Sequence, residues 1–167
     1  ALPPMDMPLS NPMSRQKRIY SMCTPHVIPF TEKMRAYVNQ WDNRCLLGEA
    51  AGDDSEALAA SYVQGTDRLH LAYSFGLLGS HLSRHDITST IKRVEEKLGD
   101  GWLCWATSNH DVVRAVTRIG APAHLQKEAA LLIMALGLSL RGSYCMYQGE
   151  ELGLPQANNQ QSCFFLK

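Results

Sequence analysis

The stretch "WLCWATSNHD", Trp102–Asp111, passes from five apolar residues to a cluster of polar and ionisable ones within a few positions. A short apolar run placed between helix-like segments reads as a strand buried on both faces. Its polar end is then where a scaffold stops and chemistry can sit. Three further stretches repeat the design: "CLLGEA" (Cys45–Ala50), "LHLAYSFGLLG" (Leu69–Gly79) and "GSYCMYQGEELG" (Gly142–Gly153). Polar groups close three of the four runs, at Glu49, at Asn109–Asp111 and at Gln148–Glu151.

Helical patterns separate the runs. Phe30, Met34, Tyr37, Val38 and Trp41 share one face, with Thr31 as the expected N-cap. "SEALAASYVQG" predicts a short helix capped by Ser55 and stopped at Gly65. A third helix has Asp86 near its start, the stripe Ile87, Ile91, Val94 and Leu98, and Gly99 as its stop. Leu125, Ala129, Leu132, Ile133 and Leu136 mark the fourth. The first 29 residues hold six of the eight prolines and read as a long loop.

Strand starts recur at intervals of roughly 25 to 40 residues, enough for a crossover helix each time. The expected class is therefore α/β with a parallel sheet. No Gly-rich phosphate loop follows a strand, which removes support for doubly wound nucleotide folds. A (β/α) barrel gains it, because such barrels gather their chemistry at the C-terminal strand ends. Four strands are half of the eight that close a barrel.

Composition bounds the partners. With 167 residues, 45% hydrophobic and 19% charged, the chain suits one packed domain. Sixteen basic and sixteen acidic residues cancel, so no field favours nucleic acid or a membrane surface, and a neutral substrate is expected. The five cysteines show no metal-finger or C-x-x-C spacing; neither a metal site nor a cofactor is expected. Cys45, Cys104 and Cys145 lie in apolar runs, where a reduced thiol acts as a small hydrophobe. Their odd total points to a reducing, cytoplasmic setting. No apolar run has the length of a membrane span, and no signal peptide opens the sequence.

Glu49, at the lip of an apolar strand, is expected to be partly desolvated and suited to general-acid use. A solvated loop carboxylate or a helix N-terminal anion is the plainer reading. Asp111 and His110 come from another strand end, and in a barrel Glu49 and Asp111 would flank one substrate, as paired carboxylates do in glycoside hydrolysis. The alternative is that Asp111 caps a helix while Asn109 and His110 make a turn. Arg114 would orient Asp111 through a bidentate pair or stand as a solvated helix residue.

"LLGEA", "WATSNHDVVRAVTR" and "LRGSYCMYQGEELGLP", in this order, resemble the α-glucosidase and oligo-1,6-glucosidase branch of the α-amylase family of glycoside hydrolases. The resemblance runs from about Asn11 to Gln156. It implies a (β/α)8 barrel (the TIM-barrel type) of which residues 1–156 form the half with strands 5 to 8, followed by a divergent tail, 157–167. It also implies a retaining hydrolase of short α-linked glucosides, with Glu49 as acid/base, Asp111 as transition-state stabiliser, and His110, Asn109 and Arg114 on the substrate. Isomerases and transglucosylases of sucrose or maltose share these motifs. Non-catalytic amylase-like ectodomains generally lose the carboxylates that are in place here.

The departures carry their own expectations. The family nucleophile is an Asp in a G-F-R-x-D type motif on the fourth strand, and no such motif occurs; Asp6 is the only acid before Glu32. The chain is expected to begin in the loop after that strand, and these 167 residues alone to lack glucosidase activity. Thr107 stands where close relatives often carry Phe, which implies an altered pocket wall. Open strand edges would permit self-association.

Overall fold

A computed structural model describes residues 20, 24–52, 54–79 and 82–157. Four strands lie in one sheet: β1 (Leu47–Gly48), β2 (Leu71–Ser74), β3 (Leu103–Trp105) and β4 (Ser143–Tyr144). They are parallel and neighbour one another in chain order, β1-β2-β3-β4. Each connection returns to the next strand in the same direction, so the strand order nowhere reverses, unlike a doubly wound sheet. This is a partial (β/α) barrel, as the alternation of runs and helices predicts.

The helices are α1 (Val27–Val38), α2 (Ser55–Val63), α3 (Arg84–Leu98), α4 (Ala115–Arg118) and α5 (Gln126–Ser139), with a 3-10 turn at Ala123–Leu125 before α5. Helix α3 carries the clearest signals. Ser83 accepts from the Asp86 amide at 3.1 Å, the Asp86 carboxylate accepts from the Ser83 amide, and Gly99 ends the helix at φ +59°. In α2 the cap is Asp54 and not the expected Ser55; its carboxylate accepts from the Ala57 amide at 3.0 Å.

Helix α1 departs further from expectation. It begins at Val27, so Thr31 is no cap but an internal residue whose hydroxyl donates to the Ile28 carbonyl. Pro29 misled the reading: in a first turn its missing N–H costs nothing, because those amides have no helical partner anyway. Phe30, Tyr37 and Trp41 are exposed, and Tyr37 meets Trp41 edge to face at 4.8 Å. In α5 the buried positions are Ala130, Ile133 and Gly137, while Leu132, and Leu125 in the turn before the helix, face solvent. From Ala129 to Leu138 that helix is apolar all round, so its sequence did not select a face.

Side-chain alternation divides the sheet. Ala72, Leu103 and Trp105 pack beneath α2 and α3 with Ala59, Ala60, Val63, Val94 and Leu98, and Leu136, Leu140 and Tyr144 join their margin. Leu47, Tyr73, Cys104 and Cys145 occupy the opposite face. Strand β3 is buried throughout, but the edge strands are not, contrary to the expectation for all four runs. Leu47 on β1 is 42% exposed and Cys45 beside it is exposed, since among the described residues no strand pairs with their outer side.

Candidate functional site

The C-terminal ends of the four strands border an open cleft of about 150 Å³. β1 supplies Glu49, β2 supplies Tyr73 and Phe75, the β3 end supplies Ala106, Ser108, Asn109 and His110, and the β4 end supplies Cys145, Met146 and Tyr147. Glu49 is the one carboxylate on this lining, and it is exposed. The expected desolvation is thus absent: β1 is an edge, and one side of its loop meets solvent.

Asn109 and His110 reach the cleft as expected. Asp111 does not line it; it stands exposed beside His110, with Nε2 to Oδ1 at 3.4 Å. It caps no helix, since α4 starts after Arg114 without a side-chain cap. The Asn109 carboxamide accepts from the Asp111 amide at 2.9 Å, and this tight turn sets the three polar residues side by side. Arg114 does not orient Asp111. Its guanidinium donates to the Gln148 carbonyl at 2.6 Å and lies 4.9 Å from the Tyr147 ring centre, joining the β3 and β4 loops. Its amide donates to the Gln156 side chain.

Tyr73 and Tyr147 are residues that sequence reading did not single out. Each sits where the strand-end alternation faces the cleft, and that parity was the available signal. The Tyr73 hydroxyl lies 3.3 Å from the Cys145 sulfur, and this contact, with burial and the Glu49 charge, pushes its pKa up to about 12. Tyr73 therefore stays a neutral phenol across the physiological range, able to orient a ligand but not to remove its proton. Burial lifts the neighbouring Cys104 thiol to about 11.

Behind the cleft lies a second polar group, whose mutual bonding the sequence did not announce. Thr107 is fully buried and faces away from the cleft, so it does not alter the pocket wall. Its hydroxyl meets the Tyr144 phenol at 2.6 Å and the buried Glu150 carboxylate at 3.0 Å. Glu150 also accepts from the Tyr147 amide at 2.9 Å. Arg118 donates to the carbonyls of Leu77, Gly79, Thr107 and Val113, with burial lowering its pKa and Glu150 opposing that shift. Among the described residues no group of three or more His, Cys, Asp or Glu gathers to hold a metal, and no helix is long and apolar enough to cross a membrane. Asp6 and residues 158–167 of the tail lie outside the described residues.

Comparison with known proteins adds to this geometry. The family described as "Alpha amylase, catalytic domain" matches residues 5–164. A "Probable alpha-glucosidase" of Rhizobium meliloti is 35% identical over 153 residues, covering 90% of this chain and 28% of that protein. An oligo-1,6-glucosidase of Halalkalibacterium halodurans is 25% identical over 147 residues, covering 81% of this chain and 26% of that protein. Among solved structures, the α-glucosyl transfer enzyme XgtA superposes with a TM-score of 0.81 and 43% identity, over 89% of this chain and 28% of that one. The chain thus spans less than a third of the length of these relatives. Parallel strands in chain order, polar strand ends around one cleft and a match through nearly the whole sequence lead to one conclusion: this chain belongs to the α-amylase catalytic-domain family.

Proposed function

We propose that this chain supplies the acid/base half of a retaining hydrolase of short α-glucosides. The observation that supports it best is the shared cleft: Glu49 from β1 and Asn109–His110 from the β3 end line one cavity between Tyr73 and Tyr147. In this reading Glu49 protonates the leaving oxygen and then deprotonates the incoming water. His110 donates to sugar hydroxyls, and Asp111, paired with it, stabilises positive charge at the sugar ring. Tyrosine faces suit the apolar side of a pyranose. Arg114 serves the substrate indirectly, by fixing Tyr147. The attacking carboxylate has no counterpart in the 167 residues, so the chain alone should release no glucose. The substrate is a small neutral oligosaccharide rather than nucleic acid or lipid, the setting is cytoplasmic, and the open β1 and β4 edges would pair with further strands or a second copy.

Transfer to a sugar acceptor is the second reading, favoured by the 43% identity to an α-glucosyl transfer enzyme. Product analysis separates the two. A chain extended upstream to carry a G-F-R-x-D motif should release glucose from p-nitrophenyl α-D-glucoside with retention. Glu49→Gln should slow that release by about 10²- to 10⁴-fold. Turnover by the 167 residues alone, abolished by Glu49→Gln, would overturn the proposal.

A further inference from the structure

Thr107 is bonded on both sides of its residue: its carbonyl accepts from Arg118, and its hydroxyl meets Glu150 and Tyr144. Through Arg118 it is tied to the loop after β2, at Leu77 and Gly79, and to Val113 beyond its own loop. Through Glu150 it is tied to the loop after β4, at the Tyr147 amide. Two and three residues further on come Asn109 and His110, which line the same cleft as Tyr147. We propose that Thr107 is a positioning residue: with Arg118 and Glu150 it holds the β2, β3 and β4 loops in one register, so that Asn109, His110 and Tyr147 face the same ligand. That these loops grip a sugar rests on the α-glucoside reading; the tie itself does not.

The chemistry of the node is directional. The Glu150 carboxylate has only acceptors, so the Thr107 hydroxyl donates to it and the Tyr144 phenol then donates to Thr107. Thr107 is fully buried, and a valine there keeps the shape but removes both bonds. The Tyr144 phenol then loses its nearest acceptor, and the buried carboxylate keeps fewer donors. Ser108 adjoins the node, and its hydroxyl accepts from the Ala115 amide at 2.9 Å. The Tyr147 and Ala115 amides therefore report on the two loops.

Site-resolved amide hydrogen exchange on the 167-residue chain tests this. Thr107→Val should speed exchange at Tyr147 and Ala115 at least tenfold while leaving α3 unchanged, and Thr107→Ser should restore it to within threefold. Wild-type exchange in Thr107→Val, or no rescue by serine, overturns the node, because packing alone would then hold the loops. If Thr107→Val does not fold, Tyr144→Phe removes a single hydroxyl and should still speed exchange at Tyr147 about threefold; no change there also overturns it. A D-glucose titration followed at the His110 and Tyr147 resonances forms the second arm. Binding to wild type that weakens at least fivefold in Thr107→Val supports the positioning role. Failure of wild type to bind glucose counts against the sugar reading, while the exchange comparison still decides the node.

Discussion

Gly137 lies in α5 against β4, and replacing it with alanine sets two effects of opposite sign against each other. A helix interior favours alanine over glycine by about 1 kcal/mol. Yet a Cβ on Gly137 would stand 2.5 Å from Cε2 and 2.6 Å from Cδ2 of Tyr144, with Cζ at 2.9 Å. The near face of an aromatic ring cannot yield locally, so the ring or the helix must move. Overpacking of this kind costs about 1–3 kcal/mol. A displaced Tyr144 also loses its 2.6 Å contact with Thr107, keeping at best the longer 3.5 Å one to the Glu150 carboxylate, and a weakened part-buried hydroxyl costs about 1–3 kcal/mol more. The losses exceed the propensity gain, and the net destabilisation should be about 3 kcal/mol. For a chain of this size that lowers Tm by about 6–12 °C. Urea unfolding followed by far-ultraviolet circular dichroism gives the free energy, and a thermal scan gives Tm. In a Tyr144→Phe background the penalty should shrink, because the hydroxyl share is already lost. A Gly137→Ala chain as stable as wild type, or more so, would show that propensity wins and that α5 does not rest on Tyr144 as described.

Two further outcomes follow from packing and charge. Leu98 is 1% exposed between α2 and the sheet, so Leu98→Ala should cost about 2–5 kcal/mol by urea unfolding; a loss below about 1 kcal/mol would refute a packed α2–α3 face. His70 pins the edge strand: its Nδ1 accepts from the Leu46 amide at 3.0 Å, and its own amide donates to the Leu46 carbonyl. Burial, with the nearby Arg35 charge, holds its pKa below the ordinary value. The unfolded chain therefore takes up this proton first, and stability falls as pH drops below about 6.5 toward the folded pKa. Urea midpoints at pH 7.5 and 5.5 should differ in that direction, and His70→Asn should flatten the difference; higher stability at pH 5.5 would contradict it.

Much of the fold was legible because local signals agreed with the global arrangement. Asp86 and Gly99 mark α3 in the sequence, and of its expected stripe Val94 and Leu98 are buried while Ile87 and Ile91 are half-buried. Legibility failed where a residue has two uses. Pro29 reads as a loop breaker but fits a first helical turn, and α5, apolar all round from Ala129 to Leu138, offers no preferred face until β4 supplies Tyr144. For the cleft, strand-end polarity located Glu49, Asn109 and His110. It did not reveal the contacts of Arg114 and Thr107, whose partners Gln148, Glu150 and Tyr144 lie more than thirty residues away. Spacing cannot reveal such bonds; only the pairing of β3 with β4 brings them together.

That pairing also explains how so little strand holds both stability and chemistry. Trp105 pairs with Tyr144 on the helix-covered side, so the next residue in each strand, Ala106 and Cys145, turns to the cleft. Strand period is two, and a slip of one residue in β4 would exchange the faces of Tyr144 and Cys145. The slip would thrust Cys145 under α5 and pull the Tyr144 phenol from Thr107 and Glu150. It would also move the Tyr147 amide off the Glu150 carboxylate. Gly137 opposes the slip, because the close approach it permits is filled by the Tyr144 ring and by no smaller side chain. Register in β4 is therefore fixed from the helix side, by packing, and is read out on the cleft side as the placement of Tyr147 in one cleft with Asn109 and His110.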